Sequence, residues 1–213
     1  RIIELTEQHP LVVSRFDETM WRRLVLLVGA SPALGDYFRR YPSALGRVLP
    51  AGGRLIGPEE AREAMLEAVG ASAFAHGEHP IAGESAEAGA TALRRRYREL
   101  LAEVVLYDLL QGDVAGGDGA AEAFSEVSRS LSALAGAALE AGLAVARATV
   151  IAGVAGPALE PQRVAATSLA IVAMGKCGAN ELNVVSDVDV MFIAGHAADA
   201  DAALGAVGGV DVG

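Results

Sequence analysis

The sequence predicts an α+β fold, with a helical region over residues 1–156 and the beginning of a sheet-bearing domain over residues 157–213. Three observations predict it. Apolar residues recur at steps of three and four through much of the first part, the signature of helices with one buried face. Two short apolar runs, residues 169–174 and 188–193, are rich in β-branched and aliphatic side chains and read as buried strands. A stretch with two prolines and two glycines, residues 153–161, separates the two patterns as a hinge.

The helices follow in order. Over residues 11–28, Val13, Phe16, Met20, Leu24 and Leu27 share one face, while Arg15, Asp17, Arg22 and Arg23 fall largely elsewhere. Ser31 followed by Pro32 is a helix start, and Pro42 closes the short helix after about Arg40. Residues 49–57 read as a loop. Pro58, Glu59 and Glu60 open a helix to about Phe74, with acidic residues at its positive end. Residues 76–89 form a polar connector, in which His76 and His79 lack a third ligand and no metal is expected. A long helix is predicted over residues 86–110, with Leu93, Tyr97, Leu100, Leu101, Val104 and Asp108 on its inner side and Asp108 paired to a buried basic group. Its cluster Arg94, Arg95, Arg96 and Arg98 reads either as a solvated face with ion pairs to neighbouring helices or as an arm towards an anionic partner. Four glycines in residues 111–119 break the pattern. A second long helix over residues 120–148 presents Phe124, Val127, Leu131, Leu134 and Ala138, and the two pack as an antiparallel hairpin.

Composition narrows the function classes. The 213 residues are 52% apolar and 5% aromatic, which fits closely packed helices of small side chains. A formal charge of −10 argues against a nucleic-acid partner, because phosphate backbones are bound by basic surfaces. Glu140 and Arg147 interrupt the most apolar long window, residues 131–158, so no membrane span is expected. The single cysteine, Cys177, rules out an internal disulfide and fits a reducing, cytoplasmic setting. A first residue other than Met and the absence of a signal-peptide pattern make the chain read as a piece of a longer protein.

The chemistry is concentrated in LAIVAMGKCGANELNVVSDVDVMFI, residues 169–193. Gly175 and Gly178 allow the tight turns of a strand-to-helix corner, and a short helix is expected from Gly178 onward. Asp187 and Asp189 stand at the head of the second strand. Residues two apart in a strand share a face, so both carboxylates are aimed at one place. Like charges so close are costly unless a cation lies between them. Hard oxygen ligands favour Mg²⁺ or Mn²⁺, and Mg²⁺ characteristically takes one or two carboxylates plus phosphate oxygens. Lys176 and the N–H groups around Gly175 and Gly178 supply positive charge for a phosphate, and Ser186 binds a carboxylate or caps the turn. Together these are parts for phosphoryl or nucleotidyl transfer.

Gly175, Lys176, Gly178, Glu181, Leu182, Asn183, Ser186, Asp187 and Asp189 resemble the nucleotidyltransferase superfamily signature in the form found in the bifunctional glutamine synthetase adenylyltransferase/adenylyl-removing enzyme family. The phrase GASPALGDYFRRYP, the arginine-rich helix ending YDLL and the leucine-spaced helix of residues 131–143 resemble the amino-terminal half of that family in its actinobacterial style. The family has Leu-Gly-Gly after the lysine, where this chain has Cys177, Gly178 and Ala179.

The resemblance implies a mixed sheet of the nucleotidyltransferase kind and a deadenylylating role. Inorganic phosphate would attack the tyrosyl-AMP of glutamine synthetase and release ADP, with ATP the nucleotide of the related adenylylating half. It implies glutamine synthetase and a PII-class signal protein as partners. A uridylyltransferase or another small-molecule nucleotidyltransferase is the alternative within the superfamily, and a non-catalytic docking fragment the alternative outside it. The superfamily draws a third carboxylate from a later strand. Asp199, Asp201 and Asp211 have no strand pattern to position them, so the isolated chain is expected to bind metal weakly and turn over poorly.

Overall fold

The computed structural model describes residues 2–71, 79–112, 119–153, 164 and 168–195. The 156/157 boundary, His76, Asp199, Asp201 and Asp211 lie outside the described residues. The helices are α1 (Ile2–Gln8), α2 (Pro10–Val13), α3 (Glu18–Ala30), α4 (Pro32–Arg40), α5 (Leu45–Ala51), α6 (Pro58–Ala68), α7 (Ala86–Gly112), α8 (Gly119–Gly153) and the single turn α9 (Gly175–Gly178). A 3₁₀ turn (Pro42–Ala44) and strands β1 (Ser168–Ala173) and β2 (Val190–Gly195) complete the described elements.

Several elements differ from the sequence reading for identifiable reasons. The helix expected over residues 11–28 is broken, because the Asp17 side chain accepts a hydrogen bond from the Met20 N–H at 2.8 Å and starts α3 afresh. Phe16 falls in the break and packs edge-on against Trp21, with ring centroids 5.6 Å apart. The loop expected from residue 49 begins only at Gly52, since α5 runs through Pro50 in its last turn. Gly52 and Gly53 then adopt φ of +77° and +75°. A side chain at Gly53 would meet the Tyr107 backbone nitrogen at 2.3 Å, so glycine lets this loop lie against α7. Helix α6 ends at Ala68, before Gly70 at φ +65°, rather than near Phe74.

Helix α7 is the centre of the helical part, buried on two faces. Leu100 and Val104, with Leu93 and Tyr97 beside them, pack with α6 and α8. Ala102, Val105 and Leu106 pack with Leu24, Leu27, Phe38, Leu45 and Val48 of the amino-terminal helices. A helix wrapped this way has no single apolar stripe, and that misplaces Asp108, which is exposed rather than facing inward. The buried acids are Glu99 and Glu103 instead. Glu99 receives Arg47 and, at 3.5 Å, Arg96, while Glu103 receives Arg54 Nε at 2.7 Å. The Tyr37 hydroxyl lies 3.4 Å from Glu99 Oε1, and burial together with that carboxylate pushes its pKa up to about 12. Within the arginine cluster, Arg95 lies over the Tyr41 ring at 4.7 Å. Two of the four arginines therefore serve internal contacts.

Helices α7 and α8 form the expected hairpin, with Gly89 near the start of α7 facing Val145 near the end of α8. By length and composition alone α8 could cross a bilayer over Glu122–Gly153. Its Val127, Leu131, Leu134, Ala141 and Ala144 are packed against α6 and α7, so these apolar side chains supply a protein core. Phe124, expected on that face, is exposed.

The strands pair antiparallel from Ser168↔Gly195 to Ala173↔Val190. A mixed sheet was expected, and the described residues form this one antiparallel pair. Opposed residues of such a pair share a face. Leu169, Ile171 and Ala173 turn towards α8, where they line a cavity with Leu139 and Leu143. The other face carries Val172, Met174, Met191 and Ile193, which are 40%, 43%, 48% and 50% exposed.

Candidate functional site

The corner after β1 depends on two glycines for different reasons. Gly175 adopts φ +52°, a left-handed conformation that a side chain disfavours. At Gly178 a Cβ would sit 2.4 Å from the Ala173 carbonyl oxygen, so any side chain there would push the turn off the strand. The short helix thus starts at Gly175, ahead of the expected position, and occupies Gly175–Gly178. The Gly178 N–H donates to Met174 O at 3.1 Å and the Ala179 N–H to Gly175 O at 3.0 Å. Both are committed to the turn, which limits any anion cradle to the N–H groups before them and to the exposed Lys176.

Past the helix the chain reverses through Asn180, at φ +59°, and a second turn at residues 183–186. Asn183 Oδ1 accepts from the Val185 N–H at 3.1 Å, and Ser186 Oγ accepts from the Asn183 N–H at 3.3 Å. Ser186 therefore caps the turn that delivers Asp187. Strand β2 begins at Val190, so both aspartates precede it rather than sitting at its head. The ladder nevertheless continues by one residue: the Met174 N–H donates to Asp189 O at 2.8 Å, which sets Asp189 opposite Met174 in the register of the strands. Asp189 accordingly stands at the end of the open face. Its Oδ2 lies 3.5 Å from where a Cβ on Gly175 would be, so carboxylate and glycine turn are neighbours. Asp187, two positions earlier, is exposed like Asp189.

From residue 175 to 189 the chain has one lysine against Glu181, Asp187 and Asp189, an excess of negative charge suited to a cation. Asp187 and Asp189 are both exposed, and carboxylates are the kind of oxygen ligand that Mg²⁺ or Mn²⁺ takes. Among the described residues, no group of three His, Cys, Asp or Glu side chains converges on a metal position.

Cys177, which the sequence reads as a small packed apolar side chain, anchors this motif together with Leu182. Cys177 and Leu182 are buried and belong to the same core as Leu100, Leu131 and Leu134. Burial pushes the Cys177 thiol up from its ordinary pKa and also raises that of Tyr97, whose phenol is near enough to feel the sulfur. The cysteine is thus a small apolar plug, with no thiolate character to make it reactive. Apolar residues at both ends of the turn, Cys177 and Leu182, are the signal in the sequence.

The glutamate-ammonia ligase adenylyltransferase family profile matches residues 21–209. The chain belongs to this family. It is 44% identical over 181 residues to the bifunctional glutamine synthetase adenylyltransferase/adenylyl-removing enzyme of Leifsonia xyli, covering 84% of this chain and 16% of that protein. The enzymes of the same name from Cutibacterium acnes and Mycolicibacterium smegmatis are 37% and 36% identical, each over 83% of this chain and 16% and 15% of theirs. The chain therefore spans about one sixth of the length of the curated relatives it matches. No solved structure matches it significantly.

Proposed function

We propose that this chain is part of the adenylyl-removing half of such an enzyme, acting on adenylylated glutamine synthetase by metal-dependent phosphorolysis in the cytoplasm. The observation that carries the reading is the position of Asp189, held by the ladder bond from Met174 and adjacent to the Gly175 turn. A divalent ion bound there supplies charge neutralisation for the non-bridging oxygens of the diester. Asp187 and Asp189 are the residues that would hold it. Lys176 and the first N–H groups of α9 orient an incoming phosphate, and the tyrosine oxygen leaves in line. Phosphate is already an anion, so the residues need not include a general base. A PII-class protein as regulator belongs to the same proposal, supported by the family resemblance alone.

The test uses the full-length parent enzyme with adenylylated glutamine synthetase and inorganic phosphate. ADP release is expected, falling at least about 10²-fold in Asp187→Asn and Asp189→Asn, the scale of losing a group that stabilises transition-state charge. UMP transfer from UTP would point instead to the uridylyltransferase alternative. Loss of glutamine synthetase binding with turnover of the bound fraction intact would make the motif a docking element.

A further inference from the structure

Arg147 of α8 is a buried cation at the edge of the helical core. It is 6% exposed, yet among the described residues its one polar contact is Nη1 to the Pro80 carbonyl oxygen at 3.3 Å. A guanidinium carries five N–H donors, and a buried cation costs several kcal/mol unless it is paired. Burial holds its pKa below the ordinary arginine value. Its nearest carboxylate, Glu140, is already engaged by Arg62 through bonds of 2.8, 2.9 and 3.1 Å.

Arg147 lines a cavity of about 290 Å³ between α8 and β1. Pro80, Leu139, Leu143, Leu169 and Ile171 make the apolar walls, His79 stands at the Pro80 side, and Glu140 also borders the cavity with its carboxylate held by Arg62. The volume is at the lower end for small-molecule sites, too small for a nucleotide to be enclosed. A planar fork of donors matches a carboxylate edge-on, with two parallel N–H···O bonds. The apolar walls suit a short aliphatic body, whereas inorganic phosphate would leave most of its oxygens facing leucine and isoleucine.

We propose that this cavity binds a small aliphatic carboxylate, with Arg147 pairing its carboxyl group. Ile171 and Ala173 belong both to the cavity wall and to β1, which leads through Met174, the ladder partner of Asp189, into the Gly175 turn, so occupancy bears on the strand beside the aspartate site. The inference does not rest on the deadenylylating reading, because it is tested by binding alone.

The probe is butyrate, added to the 213-residue chain at constant ionic strength, with butylamine and inorganic phosphate as controls. At about 20 mM butyrate the thermal midpoint is expected to rise by several degrees, with no rise for either control. Arg147→Met, nearly isosteric and uncharged, is expected to abolish the rise. Leu169→Trp keeps the arginine but fills the cavity, and abolishes it too. Calorimetric titration of the unaltered chain reads the same binding without any variant. No butyrate effect, an equal effect in Arg147→Met, or phosphate acting as strongly as butyrate would each overturn the proposal.

Discussion

The helical part and the β1–β2 motif treat their apolar side chains in opposite ways. Helix α7 is covered on both faces, so that Leu24, Phe38, Leu100, Leu106 and Leu134 are almost fully removed from water. In the motif Leu169, Ile171 and Ala173 of β1 turn to α8, while Phe192 opposite Ile171 is 61% exposed and Val172, Met174, Met191 and Ile193 lie open on the other face. Two strands are marginal by themselves. The difference teaches that the motif takes its position from the helices, through Cys177 and Leu182, while its aspartate face remains accessible.

The comparison can be broken most directly at the core. Leu134→Ala should cost about 2–5 kcal/mol in denaturant unfolding, whereas Met191→Ser on the open face should change stability by less than about 0.5 kcal/mol. Similar costs for the two would mean that the strand face is covered in solution. The buried acid of α7 comes next. Glu99→Ala removes the partner of Arg47 and Arg96 and an acceptor beside Tyr37, with an expected loss of about 1–3 kcal/mol by the same measurement.

Tyr37 sharpens the picture through pH. Its folded pKa is raised from 10.0 to about 12, so its contribution is complete below pH 10 and is lost as pH rises towards 12. Stability of the unaltered chain should therefore fall more steeply between pH 10 and 12 than that of Tyr37→Phe, by about 1–2 kcal/mol, read from urea midpoints across that range. The smallest effects contrast two glycines. Gly142→Ala has open space in α8 and should stabilise by about 0.5–1 kcal/mol. Gly178→Ala should destabilise and shift the amide resonances of the strand-to-helix corner, because its Cβ meets the Ala173 carbonyl.

Much of this was legible in the residues. Ser31 and Pro32 start α4 as read, the two long helices pair as a hairpin, and Gly175 carries the positive φ that a tight corner requires. The break at Asp17 was missed because the apolar spacing runs through it, while a side-chain cap is a local choice that periodicity does not record. Asp108 was misplaced because a helix buried on two sides shows no clean period. At the site, residue type and spacing single out Asp187, Asp189 and Lys176, and the structure leaves all three exposed. Ser186 reads from the sequence as either a carboxylate partner or a turn cap, and the structure shows the cap; the committed N–H of Gly178 could not be read, since it depends on which turn closes first.

By itself, the sequence determined α4, the two long helices, the two strands and the family, because periodicity, turn residues and a contiguous motif are local properties of the chain. Only the tertiary structure decided that α7 is shared by two cores, that Glu99 and Glu103 are the buried acids, and that Arg147 borders a cavity beside β1. Those facts depend on which faces meet across long stretches of chain, and burial sets the cost of a charge only after they have met.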